Sequence, residues 1–167
     1  LPVILQRFYS GQDLYLGPFG RGWDFNYGQR IIELTIKDFG IKSKIPLYLA
    51  ANIDPGEVAR TGDLLYMNGM GRIVVYKAAG AAPPEGIKDD PLLLDIVARE
   101  KIAIAQYYTP PKNVFDFWIR HTNGEFRLIG PDGTQTSFDT AGRLTRIKDR
   151  FTNSLTFHHD CQGRLCV

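Results

Sequence analysis

The chain has 167 residues, which suits one domain able to bury roughly two thirds of the surface its unfolded form exposes. Hydrophobic residues make up 44% and charged residues 23%, which excludes a disordered or fibrous class. The formal net charge of +2 comes from twenty basic and eighteen acidic residues interspersed with no basic run, a pattern unlike the stripe of a nucleic-acid binder. No stretch approaches the ~18 apolar residues of a membrane span, and Leu1-Pro2-Val3-Ile4-Leu5 lacks the charged region of a signal peptide. With no initiator Met, and with Val167 following closely on a turn motif, the chain is expected to be a fragment of a longer protein. Its two cysteines, Cys161 and Cys166, are too few to define a disulfide framework, and whether they pair stays open.

In chain order, Ile31 to Ile36, Ile45 to Leu49 and Ile73 to Tyr76 read as strands, and Ala78 to Gly86 as a Gly/Pro/Ala loop. Asp90 as cap and Pro91 at the first position suit a short helix through Glu100, although an apolar strand of that length reads much the same. Further on, Phe115, Phe117 and Ile119 alternate with Asp116, Trp118 and Arg120, as on a half-buried strand. Phe126 and Leu128, then Leu155 and Phe157, repeat the alternation. Turn signals separate these segments: Asn123-Gly124, the pair favoured in a type I′ hairpin, and Gly130-Pro131-Asp132-Gly133, suited to a type I turn. Asp139 to Gly142 and Asp160 to Gly163 suit bulged hairpin loops with glycine in the left-handed region. The expected fold is all-β, an extended antiparallel sheet of repeated β-hairpins with at most one short helix.

The strongest signal is an internal repeat. Phe138-Asp139-Thr140-Ala141-Gly142-Arg143-Leu144 matches His159-Asp160-Cys161-Gln162-Gly163-Arg164-Leu165 at an offset of 160 − 139 = 21 residues. Met67-Asn68-Gly69-Met70-Gly71-Arg72-Ile73 is a degenerate third copy. One hairpin cannot bury its own face, so neighbouring hairpins must join to make a core.

These motifs resemble the bacterial Rhs/YD-repeat proteins, relatives of the C components of insecticidal Tc toxins and of teneurins. Arg7-Phe8-Tyr9-Ser10 with Gly17-Pro18-Phe19-Gly20-Arg21-Gly22-Trp23 is similar to the motif that opens such repeat regions. Tyr108-Thr109-Pro110-Pro111, Val114-Phe115-Asp116 and the stretch from Asn123 to Thr134 resemble the segment leading into the repeats. The stretches Gly142 to Arg150 and Asn153 to Leu165 resemble successive repeats, with Phe138-Asp139 and His159-Asp160 where the family has Tyr-Asp. The resemblance implies an opening region over residues 1–104, hairpins over 105–167, and a ribbon spiralling into a shell around a C-terminal effector. It also implies export or cell-surface display. The self-cleaving aspartates of such shells have no counterpart here.

Gly17, Gly20, Gly22 and Trp23 are expected to serve tight bends that present Phe19 and Trp23 to a core. No strand–loop–helix context or Lys-Ser/Thr pair makes those glycines a phosphate loop. His158-His159-Asp160-Cys161 holds metal-binding residue types, but adjacent strand residues point to opposite faces, and no orienting third group accompanies a Cys-His pair. No catalytic residue, cofactor or metal is therefore expected. Arg143 and Arg164 suit cross-strand pairing with carboxylates, or else an anionic or sugar ligand. Tyr15, Trp23, Tyr27, Tyr107, Tyr108 and Trp118 suit packing ahead of carbohydrate stacking. A scaffold segment is thus expected, with a carbohydrate- or protein-binding surface module as the alternative. Partners are the rest of the chain and its enclosed domain, without nucleic acid or membrane span, and the isolated chain is expected to self-associate through its terminal hairpin.

Overall fold

The computed structural model describes residues 4–9, 11, 16–17, 19–34 and 62–166. The expected strand Ile45 to Leu49, the end of the expected strand at Ile36, and Ser10, Tyr15, Pro18 and Val167 lie outside them. The described chain is antiparallel β with one short helix. Its main body is a nine-stranded sheet in which neighbours in space are neighbours in sequence: β5 (Arg30–Glu33), β6 (Leu64–Met67), β7 (Ile73–Gly80), β8 (Ile104–Thr109), β9 (Phe117–His121), β10 (Phe126–Ile129), β11 (Gln135–Phe138), β12 (Leu144–Lys148) and β13 (Ser154–Thr156). It takes strands from both sides of residue 104. Three small ribbons flank it: β1 (Arg7–Tyr9) with β4 (Trp23–Phe25), β2 (Leu16–Gly17) with β3 (Gly20–Arg21), and β14 (His158–His159) with β15 (Leu165–Cys166).

The sheet curls on itself. Tyr66 on β6 and Phe138 on β11 are five strands apart, about 24 Å in a flat sheet at ~4.8 Å per strand. Their ring centroids are nevertheless 6.2 Å apart, and Trp118 on β9 touches both, at 5.2 and 5.1 Å. Ile31, Leu64, Val74, Tyr76, Tyr108, Phe126, Leu128 and Leu144 complete this interior, in which Trp118 has no exposed surface. Among the described residues the edges of the curl meet beside Ile31 and Gly142. Arg30 pairs with Arg143 as an isolated antiparallel bridge, and the Ile31 N–H donates to the Gly142 carbonyl at 2.9 Å. Beyond this seam β13 continues the ribbon, and Phe157 stacks on Tyr27 at 5.2 Å.

The outer face is covered too. Helix α1 (Pro91–Glu100) starts at Asp90, whose Oδ1 accepts from the Leu92 and Leu93 N–H groups, and ends on Lys101 in the left-handed region. Tertiary packing decides for helix over strand: Leu93 and Ile96 pack on Tyr107, Phe117, Ile119 and Ile129. This corrects the expectation of a half-buried strand at β9, since Phe117 and Ile119 meet the helix while Trp118 fills the curl. Phe115 precedes the strand and is 78% exposed. Around β5 to β7 the outer face is made by Leu34, Leu65 and Met67. β7 also runs through Ala78 to Gly80, where a loop was expected, because its partner β8 extends alongside.

The loops between β9 and β15 share one hydrogen-bonding plan. In His121–Glu125, Gly130–Thr134, Asp139–Arg143, Asp149–Asn153 and Asp160–Arg164 the first N–H donates to the fifth carbonyl and the fourth N–H to the first carbonyl. The fourth residue has positive φ in every case. Asn123-Gly124 therefore does not form the expected type I′ turn: only Gly124 has positive φ, and a type I turn with a left-handed fourth residue spans the extra position. First positions 121, 130, 139, 149 and 160 are 9, 9, 10 and 11 residues apart, so the repeating unit is one strand with its loop. Alternate loops gather on the same rim, where a Cβ on Gly124 would lie 3.0 Å from Thr140, and one on Gly133 3.0 Å from Arg150.

Gly142 and Gly163 have nearly the same φ, +80° and +76°, but different surroundings. A Cβ on Gly142 would lie 2.1 Å from the Ile31 carbonyl oxygen, whereas one on Gly163 would meet only the Arg143 side chain at 3.7 Å. Gly163→Ala should cost about 1–2 kcal/mol from the left-handed backbone alone, and Gly142→Ala a further ~1–3 kcal/mol from opening the seam. Urea unfolding of the two variants checks this; equal losses would mean that the seam contributes nothing.

Candidate functional site

The repeat motif becomes a compact side-chain device. In Asp139–Arg143 the Asp139 Oδ1 accepts from the Ala141 and Arg143 N–H groups at 3.0 and 2.9 Å, while Oδ2 accepts from Arg143 Nε at 2.8 Å and lies 2.6 Å from Nη2. Asp160 repeats each bond with Gln162 and Arg164, at 2.7 to 2.9 Å. The aspartate thus satisfies loop donors with one oxygen and grips the guanidinium with the other. This replaces the expected cross-strand pairing, since both arginines turn back to the aspartate of their own loop. Two guanidinium donors in each are thereby occupied, which weakens the case for Arg143 and Arg164 as ligand-binding groups.

Asp149 makes a further copy of the loop without the Gly-Arg pair of the repeat motif. Its Oδ1 accepts from the Phe151 and Asn153 N–H groups, and Oδ2 from Asn153 Nδ2 at 2.8 Å. Asn stands for Arg, and Thr152 takes the glycine's place at φ +72°. The ten-residue step from Asp139 was its sequence signal. Asn68 reproduces the backbone half, accepting from the Met70 and Arg72 N–H groups, but its amide gives Arg72 no carboxylate. In the two remaining loops the third residue supplies the acceptor: Asn123 for the Glu125 N–H and Asp132 for the Thr134 N–H.

The carboxyls of Asp139, Asp149 and Asp160 titrate below their ordinary range. For Asp139 burial pushes the other way and is outweighed by the Arg143 backbone and side-chain bonds. For Asp149 the Asn153 amide is the main cause, and for Asp160 the Arg164 N–H.

The metal-type residues do not converge. His158 lies opposite Cys166 and His159 opposite Leu165, both cysteines are free and exposed, and no cluster of three potential ligands occurs among the described residues. Protein purified without a His tag is expected to carry no stoichiometric zinc by metal analysis. One equivalent lost on His159→Ala would contradict this.

The opening motif forms a separate cluster. Gly17 pairs with Gly20, and Gly20 and Gly22 take positive φ. Trp23 stacks on Tyr9 at 5.0 Å, and the Arg7 guanidinium lies 5.8 Å from the Trp23 ring and 5.9 Å from Phe19. Phe19 and Trp23 are not core residues as expected; Phe19 is exposed and lies edge-on against Phe25, the buried aromatic of this segment. Of the aromatics considered for carbohydrate, Tyr107, Tyr108 and Trp118 are buried, while Trp23 and Tyr27 are half-buried, Tyr27 packing on Phe157.

A charged cluster that the sequence did not reveal ties α1 to the sheet. Glu100, the last helical residue, accepts from Lys148 Nζ at 2.7 Å and from Arg127 Nη1, which also donates to Gln135 Oε1 at 2.9 Å. Burial raises the Glu100 carboxyl, but the two hydrogen-bonded cations outweigh it and hold it at about 2. A carboxyl depressed in the folded state stabilises fully above its unfolded value near 4.5, and that stabilisation is lost as pH falls toward 2. Glu100→Gln should therefore cost about 2–3 kcal/mol at neutral pH and flatten the acid limb of the stability profile. Denaturant titrations from pH 2 to 7 test this; an unchanged acid limb would contradict it.

No family model, no curated protein and no solved structure matches this chain.

Proposed function

We propose that this chain is a non-catalytic structural segment of a YD-repeat (Rhs-type) shell that encloses or delivers a C-terminal effector, in a protein that is secreted or displayed at the cell surface. The observation that carries the reading is the recurrence of one aspartate loop, at Asp139 and Asp149 on consecutive strands of the curling sheet and at Asp160 in the ribbon that follows it, with the arginine clasp complete at Asp139 and Asp160. A loop that satisfies its own donors and stiffens its own arginine lets a ribbon add strand after strand with no other support at its rims. Such a ribbon suits a wall better than a reaction site. The chemically interesting side chains also serve the wall: Tyr76 donates to Asp116 at 2.6 Å, Tyr66 to Gln29 at 2.9 Å, and the arginines to their loop aspartates.

The alternative, a surface module that binds carbohydrate or protein, draws its support from the exposed cluster of Tyr9, Phe19, Trp23 and Arg7. The parent polypeptide separates the two readings. The shell reading expects further Asp-x-x-Gly-Arg loops after this segment, then an unrelated C-terminal domain that resists protease until the repeats are denatured. A parent whose C-terminal domain is cleaved as fast as the isolated domain would refute it.

A further inference from the structure

The ribbon of β1 and β4 leaves one edge of β1 without a strand partner among the described residues. Register identifies which groups that edge offers. Asn26 N–H donates to the Gln6 carbonyl at 3.1 Å, Gln6 N–H donates to Asn26 Oδ1 at 3.0 Å, and Phe8 lies opposite Asp24. Backbone groups alternate in direction along an antiparallel strand, so Gln6 and Phe8 turn theirs toward β4, and Arg7 and Tyr9 turn theirs outward.

Beside this segment lies an open groove of about 420 Å³ lined by Gln6, Arg7, Phe8 and Met70. Phe8 and the β6–β7 loop that carries Met70 are neighbours, since a Cβ on Gly71 would lie 2.5 Å from the Phe8 ring. One part of the groove is apolar, with Phe8 37% and Met70 45% exposed. The other is cationic. Arg7 rests against aromatic rings rather than a carboxylate, and neither it nor the exposed Arg72 has an ion-pair partner among the described residues. Among the described residues no strand covers this edge and no carboxylate neutralises its charge.

We propose that the outer edge of β1 takes an extended acidic and apolar segment of a partner protein as an added β-strand. The main chain of Arg7 and Tyr9 pairs with it, apolar side chains settle on Phe8 and Met70, and carboxylates meet Arg7 and Arg72. Charge complementarity selects this occupant: a lysine-bearing strand would place like charges at the two arginines.

Titration calorimetry tests the assignment with synthetic peptides that alternate valine with glutamate, valine with lysine, and valine with glutamate on an N-methylated backbone. The glutamate peptide should bind at a single site, and Arg7→Glu should weaken it about tenfold or more. Phe8→Ser should weaken it as well. The lysine and N-methylated peptides should bind far more weakly. No binding of the glutamate peptide, equal binding of all three, or a dimer of the chain that Arg7→Glu dissolves would each overturn the proposal.

Discussion

Trp118 can lose all contact with water only if strands far apart in the sheet close around it, and that closure is the constraint on which the architecture turns. Its ring touches Tyr66, Tyr76 and Phe138, contributed by β6, β7 and β11. A flat meander would leave those aromatics on an open face. The curl brings them together, and burying side chains of this size stabilises by roughly 1.5–3 kcal/mol each. Curling costs close backbone approach where the edges meet. Gly142 provides it, with its carbonyl bonded to Ile31 and no room for a Cβ. The glycine of the repeat motif therefore does two things at this loop, taking the left-handed conformation and admitting the first strand of the curl.

The loops were legible because their chemistry is contained in five residues. An aspartate that accepts from the third and fifth N–H groups, followed by a glycine at the fourth place, specifies its geometry without help from the rest of the chain. Where the same geometry is reached with other residues the signal fades. Thr152 conceals the Asp149 loop, and Asn123-Gly124 suits two turn types that only the loop length separates. Strand faces were partly legible. The alternation through Phe117, Trp118 and Ile119 is present, but which side would be buried depended on a helix whose own residues read equally well as a strand. β6, Leu-Leu-Tyr-Met, has no alternation because both of its faces are covered.

Long-range features left no trace in local pattern. The seam joins Ile31 to Gly142, and Glu100 meets Lys148 across 48 residues, so neither can be read from spacing. The arginines of the motif were assigned to neighbouring strands because i,i+4 pairing across a tight loop is not a strand pattern. Their return to Asp139 and Asp160 makes each loop self-sufficient. Toward the other end of the chain, Arg7 rests on aromatic rings and the outer edge of β1 has no strand partner among the described residues.

The central claim is that the nine-stranded sheet is held curled through Ile31 and Gly142. Native-state hydrogen exchange of the Ile31 amide tests it most directly, because that N–H bonds to the Gly142 carbonyl alone. It should be protected as strongly as the amides between β9 and β10, and Gly142→Ala should accelerate it while the β9–β10 amides stay slow. An Ile31 amide that exchanges at the rate of an exposed loop in the unaltered protein would show that the sheet stands open, and the account of the core around Trp118 would fail with it.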